Sequence, residues 1–462
     1  MVGFEKEVNR ICTIFKTLKD PHVKIISHLD ADGLASAAIL VAAFKRAHIK
    51  FTLSVVKQID GDIIKELEKE QITTIFLTDI GSGYLSLLNL QHKEIFILDH
   101  HKPEDFQNTS INHLNPHTLK IDGSKEISGA GVTYLFAKEF DKRNIGLAHL
   151  AIIGAIGDMQ EGNGFFGLNM AILQDAIGNN KIKVTKGLRF FGANTKPIHK
   201  LLEYSDFHIP GVSGSEHGAL NFLESLGIDL KEGSHWRTLS DLNETELQKL
   251  ITELIIKRLN ENKPEEILGD IYHIDGPITD VKEFSTILNS CGRLAKQAVG
   301  IALCLGDKES LTEAYSILNM YKKKIVNAWT WFNNNKNTTN VVENEEYILI
   351  NAGDNIKDTI IGTFASMLAK SLARDSIIIA MARNAGKTKI SVRTTRPTID
   401  LQNFLLTVAP QNTISGGHSE AAGALIPTEK EEEFIANISN FFSQNKINQT
   451  VVAPERSKEQ DL

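Results

Sequence analysis

The sequence predicts an α/β chain. Its N-terminal domain has a parallel sheet flanked by helices, followed by a helical insertion or linker and a smaller C-terminal α/β domain. Three observations predict this. Apolar strand-like runs alternate with helical patterns from residue 22 to about 180. The alternation stops from about 181 to 280, where only helical patterns stand out. It resumes near Glu346 with short apolar runs around further helices. The expected boundaries are 1–180, 181–340 and 341–445, with a polar, disordered tail at 446–462.

Composition suits a globular protein of this kind. The chain has 462 residues, 42% hydrophobic and 23% charged, with a formal net charge of −7. That balance excludes a global basic field, so any site for a polyanion must be local. Cys12, Cys291 and Cys304 show no C-x-x-C spacing, which excludes a zinc ribbon and a disulfide framework and fits a reducing cytoplasm. Residues 1–20 read as an amphipathic helix, not a leader, and no apolar stretch approaches the length of a membrane span.

Taken in order, strands are expected at Val23–Ser27, Phe51–Val56, Thr74–Thr78 and Glu94–Leu98, with helices at 34–46, 61–70 and roughly 84–90 between them. Ala148–Gly157 is a long apolar stretch. In the middle region, 216–227 and 241–260 read as helices, the second with Asp241 as N-cap and Glu244 three residues on. A long helical pattern covers 308–334, and the Asn- and Thr-rich 333–340 reads as a loop. The last domain shows strand Tyr347–Ile350, helix 356–373, strands Ile377–Met381 and Lys389–Arg393, and a final helix 429–443.

The chain is organised around Ser27-His28-Leu29-Asp30-Ala31-Asp32-Gly33, where a strand ends and a helix begins. In extended backbone, His28, Asp30 and Asp32 point to one side, and Gly33 permits a sharp turn. Neighbouring carboxylates repel unless a cation lies between them. Further ligand types close other runs: Asp79 the third strand, Asp99, His100 and His101 the fourth, and Asp158 the apolar stretch ending at Gly157. In parallel sheets ligands gather at the C-terminal strand edges. A lone Asp or His at such an edge is more often a cap, but a set from four segments exceeds what caps explain. Six ligands also exceed the needs of one ion. Carboxylate plus imidazole suits Mn²⁺, Mg²⁺ or Zn²⁺, and paired ions serve in-line displacement at phosphorus.

In order and spacing, His28-x-Asp30-x-Asp32-Gly33, Asp79, Asp99-His100-His101 and Asp158 resemble the four-motif signature of the DHH phosphoesterase superfamily. Ser415-Gly416-Gly417-His418 resembles the Gly-Gly-His signature of the DHH-associated C-terminal domain, so the resemblance covers nearly the whole chain. Asn289-x-x-Gly292-Arg293 is similar to a segment of the RecJ branch, and Ser391-x-Arg393 to a substrate-contacting segment. His28, where bacterial RecJ has Asp, and the helical insertion favour the archaeal RecJ-like, GINS-associated type. The resemblance implies that His28, Asp30 and Asp79 hold one metal, that Asp32, His100 and Asp158 hold a second, and that Asp79 bridges. It makes His101 an acid facing the leaving group and Asp99 an orienter of histidine. It places Asn289, Arg293, Ser391, Arg393, Gly416, Gly417 and His418 on substrate.

The resemblance implies a two-metal exonuclease, Mn²⁺ first and Mg²⁺ second, acting on an end of single-stranded DNA or RNA in replication or repair. GINS and the replicative helicase are partners by family analogy. The alternatives are a phosphodiesterase of short oligonucleotides or cyclic dinucleotides, and a replication scaffold with weak nuclease activity. The run from Arg383 to Arg396 has basic residues and no acidic one, which suits either a solvated hairpin or a strand-gripping surface. Trp236, Trp329 and Trp331 could stack bases, but Trp at helical spacing is more often core, and they are left unassigned.

Overall fold

A computed structural model describes residues 2–19, 21–106, 110–162, 164–205, 207–261, 263–336, 338–372, 375–395, 399–411, 413–417 and 421–451. The chain forms two compact units, 1–318 and 319–462.

The first unit opens with helix α1 (Val2–Thr17), whose apolar face is buried. The expected alternation follows in β1 (His22–His28), α2 (Ala31–Arg46), β2 (Lys50–Val56), α3 (Gly61–Lys69), β3 (Thr74–Thr78) and β4 (Glu94–Leu98), and then comes β5 (Ile111–Leu114), which the sequence pattern did not announce. All five strands are parallel, in the order β2-β1-β3-β4-β5. The order reverses at β1, so the end of β1 lies at a switch point, where such sheets bind ligands. The helix expected at 84–90 is absent. A 3-10 turn at Ser82–Tyr84 replaces it, because Ser82 N–H donates to Asp99 and the Ser86 N–H and hydroxyl both donate to Glu104.

Three helices complete the site's surroundings: α4 (Gly129–Phe140), α5 (Ala148–Gly157) and α6 (Gly167–Gly178). Beneath β1 and β3, Phe15 of α1 lies within 6.0 Å of the ring centroids of Phe44, Phe76, Phe96, Phe136 and Phe140. Phe76 and Phe96 stack at 4.6 Å. This aromatic layer ties α1, α2, α4, β3 and β4 into one core.

The middle region is mostly helical: α7 (Ile198–Glu203), α8 (Glu216–Ser225), α9 (Glu244–Lys257), α10 (Val281–Arg293) and α11 (Gln297–Cys304). It also contains strands that the sequence pattern did not announce. β6 (Lys183–Leu188) pairs antiparallel with β9 (Leu268–His273), and β7 (Lys231–Glu232) with β8 (His235–Trp236). The N-cap of α9 is Asn243, with Glu246 closing the capping box; Asp241 caps Thr238 instead. α12 (Ser310–Asn335) takes in the first residues of the expected Asn-rich loop, since Asn335 Nδ2 donates to Trp331 O at 2.8 Å.

The second unit has a six-stranded mixed sheet in the order β10-β11-β12-β13-β15-β14. Its elements are β10 (Val341–Glu343), β11 (Tyr347–Asn351), α13 (Asp358–Ser371), β12 (Ile377–Asn384), β13 (Lys387–Thr394), α14 (Leu401–Val408), β14 (Ile414–Gly417), β15 (Ala421–Pro427) and α15 (Glu431–Val451). α15 runs through residues 446–451, which the sequence assigned to a disordered tail; 452–462 lie outside the described residues.

Candidate metal centre

The site forms at the C-terminal edge of the first sheet. His28 is the last residue of β1, and Asp30 is the N-cap of α2, accepting Gly33 N–H at 3.0 Å. Asp32 lies in the first helical turn, so it reaches the site by helical curvature and not by the strand alternation expected from sequence. Gly33 is required at the turn: a Cβ there would sit 2.2 Å from His28 O. Asp79 follows β3 with φ +57°, a left-handed conformation that Asp and Asn tolerate better than most side chains. Asp99, His100 and His101 follow β4, and Asp158 is the C-cap of α5. Asp158 therefore comes from a helix end, not from a strand edge.

Six side chains converge in two triads that meet at Asp79. His28 Nδ1 is 2.9 Å from Asp30 Oδ2 and 3.5 Å from Asp79 Oδ2. His100 Nε2 is 3.3 Å from Asp79 Oδ1, 3.2 Å from Asp158 Oδ2 and 3.8 Å from Asp32 Oδ2. His28, Asp30, Asp79 and Asp32, His100, Asp158 each have a geometry that could hold an ion, and so does a third group, Asp79, Asp99, His100 and His101. Both carboxylate oxygens of Asp79 are buried and take no hydrogen bond, as does His28 Nδ1. Buried carboxylate oxygens cost free energy unless something positive meets them.

The surroundings fix each ligand. Asp32 accepts Gly129 N–H at 2.6 Å and Ala130 N–H at 3.0 Å, at the positive N-terminal end of α4. That end approaches so closely that a Cβ on Gly129 would meet Asp79 Oδ1 at 2.6 Å, and from α5 a Cβ on Gly154 would meet Asp32 Oδ1 at 2.1 Å. His100 Nδ1 donates to Gly123 O at 2.6 Å, which leaves Nε2 as the ring's lone-pair nitrogen. Gln160 Nε2 also donates to Gly123 O, and Asn169 Nδ2 donates to Gln160 Oε1. Asp99 is different. Its Oδ1 takes His101 Nδ1 at 2.7 Å and His100 N–H at 2.8 Å, and its Oδ2 takes Ser82 N–H. With both oxygens committed, Asp99 orients His101.

Electrostatics point the same way. Burial opposes a charged His28, yet Asp30 and Asp79 hold its pKa up at about 10. Burial, with Asp30 and Asp79, pushes Asp158 up to about 7. Burial, with Asp79 and Asp158, raises Asp32 well above the usual carboxylate range. Burial would also raise Asp99, but His101 beside it holds that carboxyl well below the range. Asp32 and Asp158 thus hold protons more tightly where a cation would otherwise sit, while Asp30, held low by His28, and Asp99 stay ionised. The donor set of carboxylates and imidazoles, with Asp79's orphaned oxygens between the triads, fits divalent cations.

The residues expected on substrate fall into two groups. In the first unit, Asn289 Oδ1 accepts Ala31 N–H at 3.0 Å, and a Cβ on Gly292 would sit 1.5 Å from Leu29 O. α10 therefore braces the β1–α2 junction through Asn289 and Gly292, a role the sequence did not suggest. Arg293 acts electrostatically on Asp30. In the second unit, Ser391 and Arg393 lie two apart on β13 and share a face covered by α13 at Gly362. Arg393 Nε donates to Ser366 Oγ at 2.7 Å and Nη1 to Val392 O at 2.8 Å. Gly416 and Gly417 lie on β14, paired with Gly423 and Ala422 of β15. His418 lies outside the described residues.

Comparison with known proteins gives the same order of parts. Residues 22–156 match the DHH family N-terminal domain, 190–271 the DHH-CID domain and 344–444 the DHHA1 domain. An uncharacterized protein of Methanocaldococcus jannaschii is 31% identical over 95% of this chain and 98% of its own length. Cdc45 from Entamoeba histolytica has a similar fold, at TM-score 0.64 and 14% identity over 96% of this chain and 99% of that one. RecJ from Thermus thermophilus, solved in complex with Mn²⁺, gives TM-score 0.59 and 16% identity over 95% of this chain. The chain spans 55% of that RecJ's length. Among the described residues no helix is long and apolar enough to cross a membrane. With three matching domains in sequence and a full-length relative, the chain belongs to the DHH family of phosphoesterases, with a RecJ-like fold.

Proposed function

We propose that this chain is a metal-dependent phosphodiesterase that removes nucleotides from an end of single-stranded nucleic acid, of the archaeal RecJ-like type, working in DNA replication or repair. One observation carries the reading: Asp79 presents two buried, unbonded carboxylate oxygens between two ligand triads. Divalent cations held there, Mn²⁺ first and Mg²⁺ second, would offset the carboxylate charge and polarise a phosphodiester for in-line attack. His28, Asp30 and Asp79 would form one site, and Asp32, His100 and Asp158 the other. His101 donates Nδ1–H to Asp99 in a hydrogen bond, and Asp99 raises the ring's pKa against the effect of burial, so the ring can carry a second proton on Nε2 and hand that one to the departing oxygen as the P–O bond breaks. Ser391, Arg393, Gly416, Gly417 and His418 would contact the strand, as would Arg293, which acts on Asp30. A GINS-type partner rests on family analogy.

A second reading, a replication-complex scaffold, draws on the full-length likeness to Cdc45. The six filled ligand positions favour catalysis. The test is digestion of single-stranded DNA and RNA oligonucleotides, labelled at either end, in Mn²⁺. The control is Asp79→Asn, since Asn tolerates the left-handed backbone that would strain Ala. Mononucleotide release from one labelled end, abolished in the variant, is expected. Cleavage only of dinucleotides or cyclic dinucleotides would move the reading to small substrates, and no cleavage with metal bound would move it to the scaffold.

A further inference from the structure

His101 is held from behind by a buried network that no metal role explains. Ser82 is fully buried and Asn115 is 1% exposed. Asn115 Nδ2 donates to His101 O at 2.8 Å and to Ser82 Oγ at 2.8 Å. Its Oδ1 accepts His117 N–H at 2.9 Å, so the amide is used at both ends. Ser82 Oγ, which accepts from Asn115, also shares a hydrogen bond with His113 Nε2 at 2.9 Å. Ser82 N–H meanwhile donates to Asp99 Oδ2, on the carboxylate whose Oδ1 holds the His101 ring. The ring is thus fixed twice: through its own carbonyl by Asn115, and through Asp99 by Ser82. β5 supplies His113, and Asn115 follows it directly.

We propose that Asn115 and Ser82 are positioning residues for His101, holding its ring where Nε2 meets the leaving oxygen. This rests on the phosphodiesterase reading above for its catalytic consequence. The geometry requires a carboxamide at 115. An aspartate there would still cap His117, but it can only accept, so both donated bonds would be lost at constant side-chain size. Ser82→Ala removes the hydroxyl and keeps the N–H on Asp99, so it cuts the same network at a second point without adding charge.

The experiment uses the full chain with Asn115→Asp, Ser82→Ala and His101→Gln. Each is assayed in Mn²⁺ on a single-stranded oligonucleotide and on a nucleotide p-nitrophenyl ester, whose leaving group needs no proton. The His101 ring is followed by long-range ¹H–¹⁵N correlation, assigned by its loss in His101→Gln. Outer hydrogen-bond partners of active groups typically matter about 10- to 100-fold. Asn115→Asp should lower kcat on the oligonucleotide by about that factor, with KM and ester turnover little changed. The His101 ring signals should shift, and Ser82→Ala should follow in the same direction. If Asn115→Asp does not fold, Asn115→Ala, which also loses both donated bonds, takes its place. Equal loss on both substrates would show general damage to the metal centre and overturn the proposal, as would unshifted ring signals or an unchanged kcat. If the wild type cleaves neither substrate, the phosphodiesterase reading falls, and the ring signals alone then decide whether Asn115 and Ser82 position His101.

Discussion

His149 lies on α5, the helix that ends at Asp158, and it is the residue whose charge state bears most simply on stability. Burial, aided by Lys181, holds its pKa down to about 4, against an ordinary 6.5. The folded protein therefore binds this proton less readily than the unfolded chain. Between pH 6.5 and 4 unfolding takes up a proton, so stability from this group is complete above pH 6.5 and is lost as pH falls toward 4. Discounting for partial exposure, the loss from pH 7 to pH 5 is about 1–2 kcal/mol. Urea unfolding at the two pH values should show it, and His149→Gln should flatten that part of the slope. An identical slope in the variant would remove His149 from the account. Single residues were also where the sequence spoke most clearly. Asp79, His100 and His101, which close expected strands, lie together because a parallel sheet gathers its C-terminal ends. What it left out was mode of arrival: Asp32 by helical curvature, Asp158 from a helix cap. Ser82 and Asn115 went unseen, since an Asn before Pro116 signals a cap and carries no mark of a second use.

At the scale of elements, Asn112 and His113 interrupt β5 and hid it, but β1 to β4 were legible to within a residue or two, because buried parallel strands are short unbroken apolar runs. The α4 segment was not. Gly129-Ala130-Gly131 at its start disfavours a helix locally, and tertiary packing demands those glycines: a Cβ on Gly129 would enter Asp79, and one on Gly131 would meet Ile127 at 2.7 Å. The expected helix at 84–90 failed for the converse reason, its apolar pattern being overruled by side-chain bonds to Asp99 and Glu104. The α10 brace gives an element-scale prediction. Gly292→Ala would push α10 away from Leu29 O, an overpacking that costs about 1–3 kcal/mol. Calorimetry should also find Mn²⁺ binding weakened in that variant, because Asn289 would lose its hold on Ala31 N–H. Unaltered metal affinity beside a lowered Tm would confine α10 to stability.

For the whole molecule, the metal centre sets function against stability. Without cations, the site gathers Asp30, Asp32, Asp79 and Asp158 around two histidines, an arrangement that raises two of the carboxyl pKa values. Mn²⁺ should therefore raise Tm, by about 2.7 kcal/mol of stability at a hundredfold excess over Kd. Asp79→Asn should raise Tm in chelator and abolish the Mn²⁺ response, which thermal unfolding with and without EDTA would show. A variant no more stable than wild type in chelator would mean that repulsion at Asp79 is already relieved by protons.

The bond from Asn289 to Ala31 joins residues 258 apart in sequence. A ribosome adding roughly 5–20 residues per second needs about 13–50 s to make that span. The first sheet can assemble well before then, but its β1–α2 junction stays unbraced until α10 emerges. An N-terminal fragment ending near residue 180 would carry all six candidate ligands without the brace on the β1–α2 junction, so its hold on a divalent cation should be weaker than that of the full chain.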